Sequence, residues 1–169
     1  MENICLGIKS DLQDFVGQAE QSDDVTMLSF KYKGTHQKSL TVDAIISNVD
    51  VVLDFINEYL ESINCDMKKQ AQLDICIDEL FSNISYYAYK GKVGEVTISI
   101  NQINNDVKIT FEDEGVPYNP LVCQTPDIDA VLDEREEGGL GIYITKQLSD
   151  NIVYEYRNKK NITTIIKEL

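Results

Sequence analysis

The chain has 169 residues, 43% of them hydrophobic, enough for the core of one compact domain with a short extra piece. Its 29 acidic against 15 basic side chains give a net charge of -14, which argues against direct binding to a phosphate backbone. Apolar runs such as VDVVLDFINEYL are broken by charge, and MENICLGIKSDLQDF lacks the basic start and long apolar stretch of a signal peptide. The chain therefore reads as cytoplasmic, without a membrane partner. Cys5, Cys65, Cys76 and Cys123 form no CxxC pair, which fits a reducing compartment and small apolar residues rather than a zinc site or disulfide frame.

Taken in chain order, residues 1–35 stand apart from the rest. SDLQDFVGQAEQSDDVTMLSFKYKG reads as a short helix, a turn at EQSDD and one strand, too little to bury much surface alone. His36, the only histidine, falls in the GTHQKS connection and receives no role. Val49, Val52, Leu53, Ile56, Tyr59, Leu60 and Ile63 form one apolar stripe, predicting a helix from about Ser47 to Ile63 with Ser47 or Asn48 as its cap. Leu73, Ile77, Leu80 and Ile84 predict a second, from about Met67 to Tyr89, stopped by KGKVG. The cluster of Tyr86, Tyr87 and Tyr89 at its end reads as packing.

Two runs then alternate strictly, Val96, Ile98, Ile100 and Val107, Ile109, Phe111, and predict an antiparallel hairpin with one buried face. From Pro120 to Glu137 no period is present, so a long loop is expected, with a short helix at DIDAVLDE; long loops inside compact domains usually serve a function. GGLGIYITKQLSD predicts a helix from Gly139 to Leu148, and NIVYEYRN and NITTIIKEL a closing hairpin through NKKN. Together these elements predict an α+β fold, a two-layer sandwich with helices on one face of a mixed, mostly antiparallel sheet.

Three stretches carry chemistry. Glu79 and Asn83 lie one helical turn apart, opposite the apolar stripe, where an amide oxygen can ligate a hard cation and a carboxylate can take a proton. Alone, the pair fits a solvated polar face better. FEDEGVPYNP stacks Glu112, Asp113 and Glu114 at a turn, within a stretch from Glu112 to Glu137 that holds nine acids against Arg135 alone. Such a turn is either solvated or holds a carboxylate, Asp113, against a donor such as an exocyclic amine, with Gly115 letting a flat ring approach. GGLG at 138–141 opens a helix, so backbone N–H groups near the positive helix end can meet a phosphate, although the spacing is not that of a P-loop.

In this order and spacing the three stretches resemble the GHKL (histidine kinase-like) ATPases with the Bergerat-type ATP-binding fold. Among them they are most similar to the anti-sigma-factor serine/threonine kinases of the RsbW and SpoIIAB kind. LDICIDELFSNISYYAY resembles their N box, FEDEGVPYNP their first glycine box, and EEGGLGIYITKQLSDNIVYEYRNKKNITTIIKEL their second box and closing strands, so the resemblance covers about residues 38–169. It implies a kinase domain over 36–169 that uses ATP and Mg2+. Glu79 would be the general base, Asn83 the Mg2+ ligand, Asp113 the acceptor of the adenine amine above Gly115, with Thr163 supporting that contact. Gly139, Leu140 and Gly141 would hold phosphates, and the loop 120–137 with Arg135 would be the ATP lid. The implied partners are an anti-anti-sigma (STAS-type) protein, which would be phosphorylated, and a sigma factor, which would be sequestered; relatives commonly form homodimers.

Two positions depart from the family pattern. Tyr87 stands where His is common, and Glu136 and Glu137 separate Arg135 from the glycines. FVGQAEQSDDVTMLSFKY resembles the end of a metal-dependent serine/threonine phosphatase domain, in which Asp23 or Asp24 would help to bind a metal; without the other ligands no phosphatase activity is expected. The alternative reading is therefore a non-catalytic, ATP-gated protein-binding module of a phosphatase fusion. The ATPase half of a sensor histidine kinase fits less well, because no helix with a phosphoacceptor His precedes the domain.

Overall fold

The computed structural model describes residues 2–17, 37–122 and 140–169, in two compact units, Met1–Gly34 and Thr35–Leu169. In the first unit, helix α1 spans Glu2–Val16, beginning well before the short helix expected from Ser10. Ile8, Leu12, Phe15 and Val16, spaced at four, three and one residues, are exposed along it. The expected EQSDD turn and VTMLSFKY strand, with Asp23, Asp24 and His36, lie outside the described residues.

The second unit is an α+β sandwich of two layers. Its sheet has the order β1-β2-β3-β5-β4, with β1 Lys38–Asp43, β2 Glu95–Ile103, β3 Asp106–Asp113, β4 Asn151–Arg157 and β5 Lys160–Glu168. Every pairing among them is antiparallel, so among the described residues the sheet has none of the parallel pairs that a mixed one would show. Both expected hairpins form. The second turns through Asn158 and Lys159, whose φ angles of 55° and 65° are the left-handed pair that a two-residue hairpin loop requires.

The inward face of the sheet carries Val96, Ile98 and Ile100 on β2, Val107, Ile109 and Phe111 on β3, and Ile165 on β5, all fully buried. The opposite face is mixed, with Val153, Ile162 and Ile166 among polar side chains; there Thr41 bonds Thr97 at 2.8 Å and Thr110 bonds Thr164 at 2.9 Å. Helices α2 (Val49–Ser62), α3 (Met67–Asn83) and α4 (Leu140–Leu148) supply the second layer. α2 buries Val52, Ile56, Tyr59 and Leu60, and α3 buries Leu73, Cys76, Ile77, Leu80 and Phe81. At about 1.5–3 kcal/mol for each large side chain, this seam is the main stabilising term of the unit.

Helix termini show where local chemistry was decisive. Asp66 caps α3, accepting from the backbone N–H groups of Lys68 at 2.9 Å and Lys69 at 3.3 Å. Asn48 precedes α2 but does not cap it; its Nδ2 donates to Asp43 O at 3.0 Å, and a 3-10 turn over Ile46–Asn48 leads into the helix instead. Lys167 Nζ donates to Leu148 O at 2.8 Å, satisfying the negative end of α4.

Candidate functional site

The end of α3 forms one wall of the site. The helix continues past Asn83 as a wider π turn over Ile84–Ala88, an irregularity that recurs at functional sites. It presents Leu80, Asn83, Ile84 and Tyr87 to a cavity of about 170 Å³. Tyr86 and Tyr87 are exposed here, with ring centroids 6.1 Å apart, rather than packed as expected. Tyr89 does pack: its hydroxyl donates to Glu95 O and accepts from Glu114 N at 3.1 Å, tying the helix end to the start of β2 and the end of β3.

The floor is made by the sheet. Alternation along β3 turns Asp113 inward after Phe111, and the antiparallel register sets it opposite Asn161, with Phe111 opposite Thr163. Asp113 is 5% exposed, and both hydrogen bonds to its carboxylate, from Gly115 N at 2.9 Å and Asn161 Nδ2 at 2.8 Å, end on Oδ1. Burial raises its pKa above the ordinary aspartate value, and these two donors offset part of that rise. Gly115 is required for space: a Cβ there would lie 2.6 Å from both the Cβ and the carbonyl oxygen of Ala88. Val116 N donates to that same oxygen at 2.8 Å, which seats the turn on the π segment.

Glu79 is not on the solvated side of α3 opposite the apolar stripe, as its spacing suggested. It is half-buried on the flank that meets α4, and a Cβ on Gly141 would collide with Oε2 and come within 2.7 Å of Cδ. Burial, then the neighbouring charge of Asp78, raises the Glu79 pKa. The carboxylate thus stands beside the first turn of α4, where Leu140 and Gly141 begin the helix.

The structure therefore brings Asn83, Asp113 and Thr163 to one cavity, places Gly115 at its edge, and sets Glu79 against Gly141 nearby. Gly139, Arg135 and the segment DIDAVLDE lie outside the described residues. Among the described residues no three His, Cys, Asp or Glu side chains cluster to hold a metal ion. A Mg2+ that keeps its waters and phosphate oxygens needs only one or two protein oxygens. Asn83, at the cavity wall and without a side-chain capping bond, fits that smaller demand.

Asn161 was missed in the sequence, where it reads as the last residue of a turn. Tyr118 and Tyr154, which join it at the cavity floor, were missed with it. Cys76 is a buried core residue as expected, its thiol pushed up to about 11 by burial, and Cys65 is half-buried.

Comparison with known proteins places the chain in a family. The chain is 33% identical over 84 residues to the serine-protein kinase RsbW of Bacillus mycoides, a match covering 47% of this chain and 52% of that protein. It is 26% identical over 94 residues to the serine/threonine-protein kinase BtrW of Bordetella bronchiseptica, covering 55% and 66% respectively. The chain thus spans about half the length of the RsbW relative. Its fold is similar, with a TM-score of 0.57 at 17% identity, to a crystal structure of the RsbU and RsbW domains of a Mycobacterium tuberculosis protein, covering 79% of this chain and 32% of that one. The histidine kinase-like ATPase domain family matches residues 42–167, from β1 to β5 and across every described wall of the cavity, and the chain belongs to that family.

Proposed function

We propose that Thr35–Leu169 is an anti-sigma regulatory kinase domain: it binds ATP with Mg2+, transfers the γ-phosphoryl group to a serine or threonine of a small STAS-type anti-anti-sigma protein, and sequesters a sigma factor. The observation that carries the reading is the pairing of a buried acceptor, Asp113, at the cavity floor with a half-buried carboxylate, Glu79, beside the start of α4. Asp113 holds the adenine amine, supported by Thr163 and Gly115. The backbone N–H groups of Gly139, Leu140 and Gly141 hold phosphates, and Arg135 belongs to the lid segment.

Asn83 ligates the Mg2+, which, when bound, offsets the phosphate charge that this acidic chain would otherwise repel. Glu79 takes the proton of the substrate hydroxyl as its oxygen bonds to the γ-phosphorus and the bond to the β-phosphate oxygen breaks, leaving ADP. Its raised pKa suits a base that must gain a proton. Working in a reducing, cytoplasmic setting accords with the free thiols of Cys65 and Cys76, and no helix of the described residues is long and apolar enough to cross a membrane.

The test is Glu79→Ala: phosphate transfer from labelled ATP to the partner disappears while ADP still binds, whereas wild-type transfer in that variant overturns the mechanism. A second reading, the non-catalytic ATP-gated module, is favoured by the acids Asp133, Glu134, Glu136 and Glu137 around Arg135, which oppose phosphate charge where positive groups are needed. It predicts nucleotide binding with no phosphoprotein.

A further inference from the structure

One side chain holds the cavity floor together. Asn161, 5% exposed, accepts on Oδ1 from Tyr118 N at 3.1 Å and from the Tyr154 hydroxyl at 2.7 Å. Its Nδ2 donates to Asp113 Oδ1 at 2.8 Å and to Val116 O at 3.2 Å. The amide cannot be flipped. Reversal would set its NH2 against the Tyr118 N–H and its oxygen against the Asp113 carboxylate, losing the bonds on both sides.

This arrangement has a chemical consequence. With Oδ1 taken by Asn161 and by Gly115 N, the second oxygen of Asp113 accepts from no other group among the described residues, although Asp113 lines the cavity. Asn161 offers Asp113 only N–H, and neither Gly115 nor Asn161 gives it an acceptor to which a protonated carboxyl could donate. Held this way, with both fixed neighbours donating to Oδ1, Asp113 is favoured in its ionised, accepting form. A ring bearing an amine meets it with a hydrogen bond; a ring bearing a carbonyl at the same place meets it with two opposed acceptors.

We propose that Asn161 is the positioning residue that sets base selectivity in this cavity, holding Asp113 as an acceptor so that a 6-aminopurine is taken and a 6-oxopurine refused. The same amide suspends the turn from Val116 to Tyr118, so orientation of the carboxylate and shape of the wall are fixed together. The inference rests on the nucleotide reading of the site and adds to it the residue that enforces the choice of base.

The experiment is equilibrium binding of ADP and of inosine diphosphate, which differs at the 6-position, to the whole chain and to Asn161→Leu, with folding followed by circular dichroism. Wild type should prefer ADP by about a hundredfold or more, because a buried unpaired polar group is costly. Asn161→Leu should weaken ADP binding by about tenfold and shrink the ratio of the two affinities. Equal weakening of both ligands, or no weakening, overturns the proposal, since a merely structural role lowers both alike.

Asn161→Asp supplies a second readout should the leucine variant fail to fold. The new carboxylate faces Asp113, and the pair must share a proton to restore the lost N–H. ADP affinity in that variant should therefore rise between pH 8 and pH 5 more than in wild type; a wild-type profile overturns the proposal. If wild type binds neither nucleotide, the nucleotide reading itself has failed, a result separate from any effect of Asn161.

Discussion

Glu79 and Gly141 are in contact across the α3–α4 seam, so closely that no side chain fits between the glycine and the carboxylate. Two of the stretches singled out in the sequence, with Glu79 and Gly141 62 residues apart, thus meet through the absence of a single Cβ. Thr145 strengthens the joint: it is fully buried and its hydroxyl donates to Gly141 O at 2.9 Å. Gly141→Ala should displace the Glu79 carboxylate or tilt the first turn of α4. The expected outcome is phosphoryl transfer reduced by about a hundredfold, with a smaller loss of ADP affinity, because the proposed phosphate-binding turn is disturbed while the proposed purine end is untouched. Single-turnover transfer and ADP titration of the same preparation check it; unchanged transfer would show that Glu79 needs no such seat.

The acid limb of the reaction should report Glu79. A general base works deprotonated, and burial followed by Asp78 raises its pKa, so transfer should begin to fall at a higher pH than an ordinary glutamate would give. Asp78 is exposed, and Asp78→Asn removes one of the two raising causes. The limb should then move to lower pH with little change in the plateau. A pH profile of transfer in the two proteins decides this, and a limb that stays in place would dissociate it from Glu79.

Asp113→Asn should separate function from stability. In the folded state burial raises the Asp113 pKa, so the charged form is penalised: its contribution is most favourable below the usual aspartate pKa and is lost as pH rises through the raised value. An asparagine can still accept from Gly115 N and Asn161 Nδ2 without carrying the charge. The variant should melt higher than wild type at pH 7, with the difference shrinking on acidification, yet lose the rise in melting temperature expected for wild type with ADP and Mg2+. A lower Tm at pH 7 would mean that the carboxylate is itself stabilising.

The hairpins were legible in the sequence because one face of each is solvated, so Val96, Ile98 and Ile100 alternate with Thr97 and Ser99. β1 was not read: of its six residues only Leu40 and Val42 are drawn inward, too few to establish a period against the polar remainder. The N-cap role expected for Ser47 or Asn48 failed: a cap must accept from a helix N–H through its side-chain oxygen, whereas the Asn48 amide is turned to donate from Nδ2 to Asp43 O. The acidic turn resolved as expected into one buried carboxylate, Asp113, and two more exposed ones, of which Glu112 lies 3.6 Å from Lys160. Asn161 could not be found locally, since apart from Tyr154, seven residues back, its partners lie 43 to 48 residues away in the chain, and it sits directly after a turn. The register from Phe111 opposite Thr163 was the one signal that could have reached it, by stepping two residues along each strand.

Tyr89→Phe tests the joint between the π turn and the cavity floor. The hydroxyl serves two chain segments, donating to Glu95 O and accepting from Glu114 N, while the ring fills the space beside Gly94 that any Cβ there would invade. Phenylalanine keeps the ring and removes both bonds. Because this side chain is only half-buried, water can recover part of the loss, and the cost should be about 1 kcal/mol, or a few degrees in Tm. Glu114 is the residue after Asp113, so releasing its N–H loosens the turn that orients the proposed purine acceptor. ADP affinity should therefore fall by several-fold while the wild-type preference for ADP over inosine diphosphate persists, since the Asn161 bonds are intact. Thermal melting and the paired titration check it; a collapse of that preference would show that Tyr89, and not Asn161 alone, holds the carboxylate in place.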